Sequence, residues 1–283
     1  MNPMSDRPSY FRVFLTFVRN SLVRDMMFPA NFIIETISSI GWVSMNIAFY
    51  VLVFHHTKYM GADFDDGGAW DKYQFFVFLA TAMLINNLVQ MFFMPNAEEF
   101  SELIRTGHLD FALLKPIDTQ FLISLQKVDW SSLANIGVSL LLLGYALPRL
   151  EGFEPTWAAV LLYPLYIVLG VGIMYSVMVS LAATSVWLGR NQSLYDFWFY
   201  ITNFARYPLE IYQGPIGNWL RWGLTFLIPV LVVVNVPARL LAKPLRAEYA
   251  WLAAFAVFAT LASLAVSRWV FTRALLSYRS ASS

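Results

Sequence analysis

NAEEFSELIRTGHLDFALLKP, Asn96 to Pro116, lies between two long apolar runs and carries Glu98, Glu99, Glu102, Arg105, Asp110 and Lys115. Its first half has the signals of a short helix. Pro95 stops the apolar run before it, Asn96 supplies an N-cap, and Glu98, Glu99 and Glu102 fall near the positive end of the helix dipole. Gly107 then takes the place just past the last turn, where a left-handed residue closes a helix. A second helical piece runs from Leu109 to Leu114 and stops at Lys115-Pro116. Phe100, Leu103 and Ile104 form an apolar ridge on the first piece, and Leu109, Leu113 and Leu114 form one on the second. A charged helix pair with apolar ridges, held in water between two membrane-length runs, is offered to a partner.

The flanking runs belong to a general bias. Of 283 residues, 58% are hydrophobic, 17% aromatic and 13% charged, against roughly 45–50% apolar and about 25% charged in ordinary soluble domains. The fold class is therefore all-α, a polytopic protein of the lipid bilayer. A net charge of +1 gives no basic field for nucleic acid. With no cysteine there is no disulfide framework, thiolate metal site or cysteine nucleophile, and His55, His56 and His108 alone nearly exclude a histidine-built metal centre.

Residues 1–30 read as a cytoplasmic N-terminal arm, 31–272 as one transmembrane domain and 273–283 as a cytoplasmic tail. In the arm, Phe11, Phe14, Leu15, Val18 and Leu22 recur at helical spacing, with Arg12 and Arg19 on another side. This pattern suits an amphipathic helix in the headgroup region, its arginines reaching lipid phosphates; a soluble helix packed on the body is the alternative. The same arginines interrupt the apolar stretch that a cleavable signal peptide would keep continuous.

Six transmembrane helices are expected, over 32–54, 73–94, 121–147, 157–188, 197–212 and 249–271, measured against the roughly 20 apolar residues a span needs. The loop from His55 to Lys72, with Asp63, Asp65, Asp66 and Asp71, lacks the spacing and closing glutamate of an EF-hand and reads as an external loop. Asn86, Asn87 and Gln90 in the second span either glue helices together or line a path. In the fourth, Gly172, Ser176, Ser180 and Thr184 make a small-residue stripe for close packing, and Pro164 predicts a bend or tilt. Beyond Phe197, Arg206, Pro208, Glu210, Gly214, Pro215, Gly217, Arg221 and Pro229 break the apolarity. One crossing followed by an external re-entrant segment over 213–238 fits this pattern, provided its backbone is buried or lines water.

Positive charge sets the orientation. Arg7, Arg12, Arg19 and Arg24, then Arg105, Lys115 and Lys127, then Arg268, Arg273 and Arg279 put the N-terminus, the helix pair and the C-terminus in the cytoplasm, with Arg239, Lys243 and Arg246 as the exception outside. No Walker A, HExxH, GxGxxG or GxSxG pattern is present, so no catalytic residue and no cofactor is assigned to this chain. Glu35, Asp129 and Glu210 lie near expected span ends rather than at mid-membrane, where coupling ions of carriers are held. Energy for any transport would arrive from outside the bilayer.

Gly107-His108-Leu109-Asp110 followed by Leu113-Leu114-Lys115-Pro116-Ile117 is similar to the G-x-L-D-x-x-L-x-[KR]-P-I segment of bacterial permeases of the ABC-2 transporter family. The layout around it resembles the membrane subunit of type-2, export-type ABC transporters along nearly the whole chain, with Tyr207-Pro208, Trp219-Leu220-Arg221 and Pro229 similar to the external re-entrant pieces. The resemblance implies a permease of the bacterial inner membrane that pairs with itself or a sister permease and with cytoplasmic ATPase subunits, which hold ATP and magnesium. Glu98 to Thr106 would be its coupling helix. Glu98, Glu99, Glu102, Arg105, Gly107, Leu109, Asp110, Lys115 and Pro116 are then the contact candidates, although Gly107, Asp110 and Pro116 serve equally as caps and turns. Asn46, Phe49, Asn86 and Phe204 are the candidates for the substrate path, at a dimer interface built from the first, second and fifth spans. The aromatic content suits an amphipathic or cationic substrate and also an ordinary lipid-facing surface. A stand-alone carrier or channel and a membrane-embedded lipid enzyme are the rival classes.

Overall fold

The computed structural model describes residues 9–61, 68–151, 155–188, 192–243 and 247–278. Asp63, Asp65, Asp66, Arg7, Arg246 and Arg279, used above for loops and charge bias, lie outside the described residues.

Almost every described element is a helix. The amphipathic pattern of the arm forms α1 (Tyr10–Met26), and α2 (Pro29–His56) begins on a proline, which needs no N–H partner there. A two-residue antiparallel pair, β1 (Tyr59–Met60) and β2 (Trp70–Asp71), leads into α3 (Lys72–Phe92). Asp71 caps α3 by accepting from the Tyr73 and Gln74 amides at 2.8 and 2.9 Å, while the Gln74 side chain accepts from the Asp71 amide. Next come α4 (Met94–Thr106), α5 (Leu109–Leu113), α6 (Thr119–Leu125), α7 (Ser132–Ala146) and α8 (Trp157–Leu188). The last group is α9 (Gln192–Ala205), α10 (Gly214–Trp222) with a π-turn over Gly223–Leu227, α11 (Val230–Ala242) and α12 (Ala247–Ser277).

The core is a layer of α3, α8 and α11. All thirteen residues of α11 are buried, between α8, α3, α9 and α12. The close approach is made at Gly170, where an added Cβ would lie 3.0 Å from the Val233 carbonyl of α11 and 3.2 Å from Ile85 of α3. The small-residue stripe of α8 touches α12 at Gly172, beside Thr260, and its Ser176 and Ser180 hydroxyls return to carbonyls of their own helix. α8 is continuous through Pro164. By contrast α2 packs mainly on α7 and leaves Ile37, Trp42 and Phe49 exposed.

Five segments are long and apolar enough to cross a bilayer: 32–56, 72–106, 132–149, 157–188 and 250–277. Gly214–Leu227 and Val230–Ala242, bent by 88°, make a sixth when taken as one broken span. This is the all-α, multi-pass architecture expected from composition. Two boundaries differ. The run over 121–147 is split into α6 and α7, because Asp129 accepts from the Ser131 amide and from the Ser131 and Ser132 hydroxyls, at 2.6–2.9 Å, a local turn that outcompetes helix. The run over 197–212 is not one helix: α9 ends at Ala205, and a 3₁₀ turn over Leu209–Ile211 follows, its Leu209 amide donating to Asn235 of α11 at 3.0 Å.

At the end of the bundle carrying β1 and β2, four groups interlock. Trp70 Nε1 donates to Glu210 at 2.9 Å, Glu210 pairs with Arg239, and Lys243 donates to the Gly68 and Ala69 carbonyls at 2.8 Å while its ammonium lies over the Trp70 ring. All four side chains are buried. The irregular chain after α9 is thus held against α11 and the loop before α3, as buried non-helical backbone requires.

Candidate functional site

At the opposite end, α3 passes into α4 with only Phe93 between them. Here the N-cap expectation is corrected. Pro95 lies inside the first turn of α4, where proline is tolerated, and Asn96 is buried within the helix. Its side chain ties two elements instead: it donates to the Phe92 and Lys127 carbonyls at 2.8 and 2.7 Å and accepts from the Lys127 amide at 2.8 Å. Gly107 closes α4 with φ of +74°, as the spacing predicted.

The contact candidates separate by exposure. Glu98, Glu102, Arg105, Lys115 and Pro116 are exposed, and Arg105 Nε donates to Glu102 at 2.8 Å. Glu99 is turned inward to pair with Lys127 at 2.9 Å. Leu109 is fully buried and cannot touch a partner, and Phe100 packs on Phe271 of α12. Asp110 is half-buried and has an intramolecular partner. The apolar part of the free face is instead Phe111, 68% exposed, and Leu114, 81% exposed, with Leu113 beside them. Phe111 was missed because a five-residue helix gives no readable period; two residues past Leu109, it falls on the other side.

This end is cross-braced. Ser21 of α1 accepts from the Val128 amide at 3.1 Å, Tyr10 stacks edge-on against Phe121, and Asp118, which caps α6, pairs with Arg268 of α12 at 2.6 Å. Burial presses the Asp118 carboxyl toward its neutral form, but hydrogen bonds from Arg268 and the Phe121 amide outweigh it and hold the pKa below the ordinary carboxylate value.

Between α2, α3, α7 and α9 lies a cavity of about 220 Å³. Asn46 and Asn86 line it, together with Asn87, Gln90, Asn135, Thr202 and Arg206, over an apolar floor that includes Met83, Ile85, Val233 and Val234. Phe49 faces outward and stacks on Tyr50, and Phe204 packs on Tyr212, so neither reaches the cavity. The amides of α3 thus serve both readings: Asn87 donates to Ser139 of α7 at 3.2 Å, while Asn86 and Gln90 face the space. Arg206 was legible only as a helix breaker; its place in the wall depends on where α9 stops. Among the described residues no three His, Asp or Glu side chains are grouped to hold a metal ion.

No curated protein and no solved structure matches the chain. A family model described as ABC-2 family transporter protein matches residues 40–282. That range takes in the helix pair, the cavity and the buried charge cluster, and the chain accordingly belongs to the ABC-2 family of transporter proteins, as a transport membrane subunit.

Proposed function

We propose that the chain is the permease subunit of an ATP-driven ABC exporter, which forms the path for an amphipathic or hydrophobic substrate and takes its energy from a separate ATPase that binds ATP and magnesium. The observation that carries the reading is the exposed Phe111–Leu114 patch, on the same helix pair that exposes Glu98, Glu102, Arg105 and Lys115 and continues directly from the buried α3. An apolar centre with a charged rim is the anatomy of a protein-docking surface. The cavity walled by α2, α3 and α9 favours a path at the contact with a second permease chain, the same or a sister, because α2 is left largely uncovered by its own chain.

The orientation proposed is that of a bacterial inner-membrane protein with both termini and the helix pair in the cytoplasm. Its support is that Arg24, Lys127 and Arg268 gather at the α4 end, while the exceptions Arg239 and Lys243 are buried in the Trp70–Glu210 cluster rather than presented to solvent. On ATP, closure of the two ATPases would draw the paired α4 helices together and tilt α3 with them. The test is to express the tagged chain with its native neighbouring genes and purify it in mild detergent. Co-elution of an ATPase that hydrolyses ATP is expected, and its absence, with transport by the chain alone in liposomes, would replace this reading with a stand-alone carrier.

A further inference from the structure

The cavity beside α2 has an uneven charge. Arg206 is the sole ionisable group in its wall apart from the Tyr50 phenol, and no carboxylate faces it there among the described residues. Arg206 enters no ion pair among those residues, and its side chain has no hydrogen bond. Arg206 is half-buried in the wall, and an ionisable group that faces a cavity within a membrane bundle marks a candidate substrate path. A second observation points to a ligand independently. Asn135 of α7 is 8% exposed, lines the same cavity, and its buried Oδ1 has no hydrogen-bond partner. Buried amides are normally satisfied, so an orphan carbonyl oxygen on a residue that lines the cavity calls for a hydrogen-bond donor that the described fold does not supply. Asn46 spends its Nδ2 on the Trp42 carbonyl at 2.9 Å, so a further acceptor remains at the opening. Opposite these polar groups, Met83 and Val233 keep the rest of the wall apolar.

We infer that this cavity binds an amphipathic organic anion, its phosphate or carboxylate against Arg206, any hydrogen-bond donors it carries against the side-chain oxygens of Asn135 and Asn46, and its apolar part along Met83 and Val233. This deepens the permease reading and rests on it for the ligand's being cargo. The aromatic content had left a cationic substrate open; at this place a cation meets like charge. At about 6 Å, with an effective dielectric of about 20, that repulsion alone is worth on the order of a hundredfold in affinity.

The test uses the full chain in phosphatidylcholine nanodiscs, titrated calorimetrically with dodecyl phosphate, with dodecyltrimethylammonium of the same chain length, and with inorganic phosphate, each corrected by empty discs. Dodecyl phosphate should bind at least about tenfold more tightly than the ammonium, and Arg206→Gln should remove about tenfold or more while Arg206→Lys keeps the preference. If Arg206→Gln does not fold, the parent titrated with a neutral amphiphile of the same chain length serves: it should bind less tightly than dodecyl phosphate and more tightly than the ammonium, and neutral binding as tight as that of dodecyl phosphate overturns the proposal. Equal binding of the two amphiphiles, or indifference to Arg206→Gln, overturns the proposal; inorganic phosphate binding as tightly as its dodecyl ester overturns the amphipathic assignment. If an accompanying ATPase is stimulated by the ammonium and not the phosphate, the permease reading stands and this one falls. If the anion binds through Arg206 and no ATPase accompanies the chain, the reverse holds.

Discussion

Phe111 and Leu114 give the docking surface a measurable weight. Full burial of a Phe or Leu side chain is worth about 1.5–3 kcal/mol. Scaled by the 68% and 81% still exposed, this leaves about 1–2 kcal/mol for Phe111 and about 1.2–2.4 kcal/mol for Leu114 on docking. Phe111→Ala with Leu114→Ala should therefore weaken ATPase binding by about 30-fold to 1,000-fold, at about 1.4 kcal/mol per factor of ten. Neither side chain supports the core, so the thermal midpoint and elution volume of the purified double variant should match the parent. Leu109→Ala is the contrasting control. Leu109 is fully buried, so its truncation should cost about 2–5 kcal/mol of stability. The assay is immobilised permease titrated with the ATPase recovered from co-purification. Binding of the Phe111/Leu114 double variant within threefold of the parent would refute the assignment of this face.

Glu99→Arg loses the half-buried pair with Lys127, worth up to about 1 kcal/mol, and should lower the melting midpoint slightly while leaving ATPase affinity within a few-fold. Glu210→Ala deprives Arg239 of its buried carboxylate and Trp70 Nε1 of its acceptor; a loss of about 3–5 kcal/mol, read as a fall of several degrees in thermal unfolding, is expected. Gly170→Leu would drive a side chain against the Val233 carbonyl, already 3.0 Å from an added Cβ, and should destabilise by at least about 1–3 kcal/mol in the same assay. The Asp118–Arg268 pair stabilises with a depressed carboxyl pKa, so its contribution is complete above the unfolded carboxylate value, about 3.9, and fades as pH falls through the lower folded value. Asp118→Asn should melt below the parent at neutral pH, by well under about 1 kcal/mol because both groups are partly exposed, and the difference should vanish in acid.

The long apolar runs announced their helices because a membrane span needs only length and absence of charge, and Phe32–Phe54 and Trp157–Leu188 carry both. Where side-chain hydrogen bonding competes with the backbone, length was a poor guide. Asp129 with Ser131 and Ser132 breaks a run that hydropathy alone would keep whole. Asn96 has the chemistry of an N-cap and the spacing of one, yet its partner is Lys127, 31 positions away, which no local pattern reveals. The same holds for the cavity. Asn46 and Asn86 were nameable as polar groups in apolar runs, whereas Phe49 and Phe204 were chosen by type, and type does not tell which way a ring points. Glu210 and Arg239 read as separate interruptions, and Trp70, which donates to Glu210, lies 140 positions from it, where no local pattern links the two.

These corrections bear on how force applied at α4 would reach the cavity. Only Phe93 separates α4 from α3, and α3 brings Asn86, Asn87 and Gln90 to the cavity wall. Asn96 fastens the same junction to Lys127, just ahead of the Asp129 turn from which α7 rises with Asn135. On the proposed reading, a displacement of α4 moves two walls of the cavity together, through α3 directly and through α7 by way of Asn96. The third wall behaves differently: Val233 and Val234 belong to α11, which is buried on all sides and held at its far end by Glu210, Arg239 and Lys243. The fourth, α2, has the least cover within the chain. On the proposed reading, α11 is the fixed post, α3 and α7 the driven pair, and α2 the surface on which a second permease closes the path. Asn96→Leu offers the sharpest separation of these roles. It should leave ATPase binding within a few-fold, because Asn96 is buried, yet uncouple ATP hydrolysis from substrate, because the link between α4 and the base of α7 is gone.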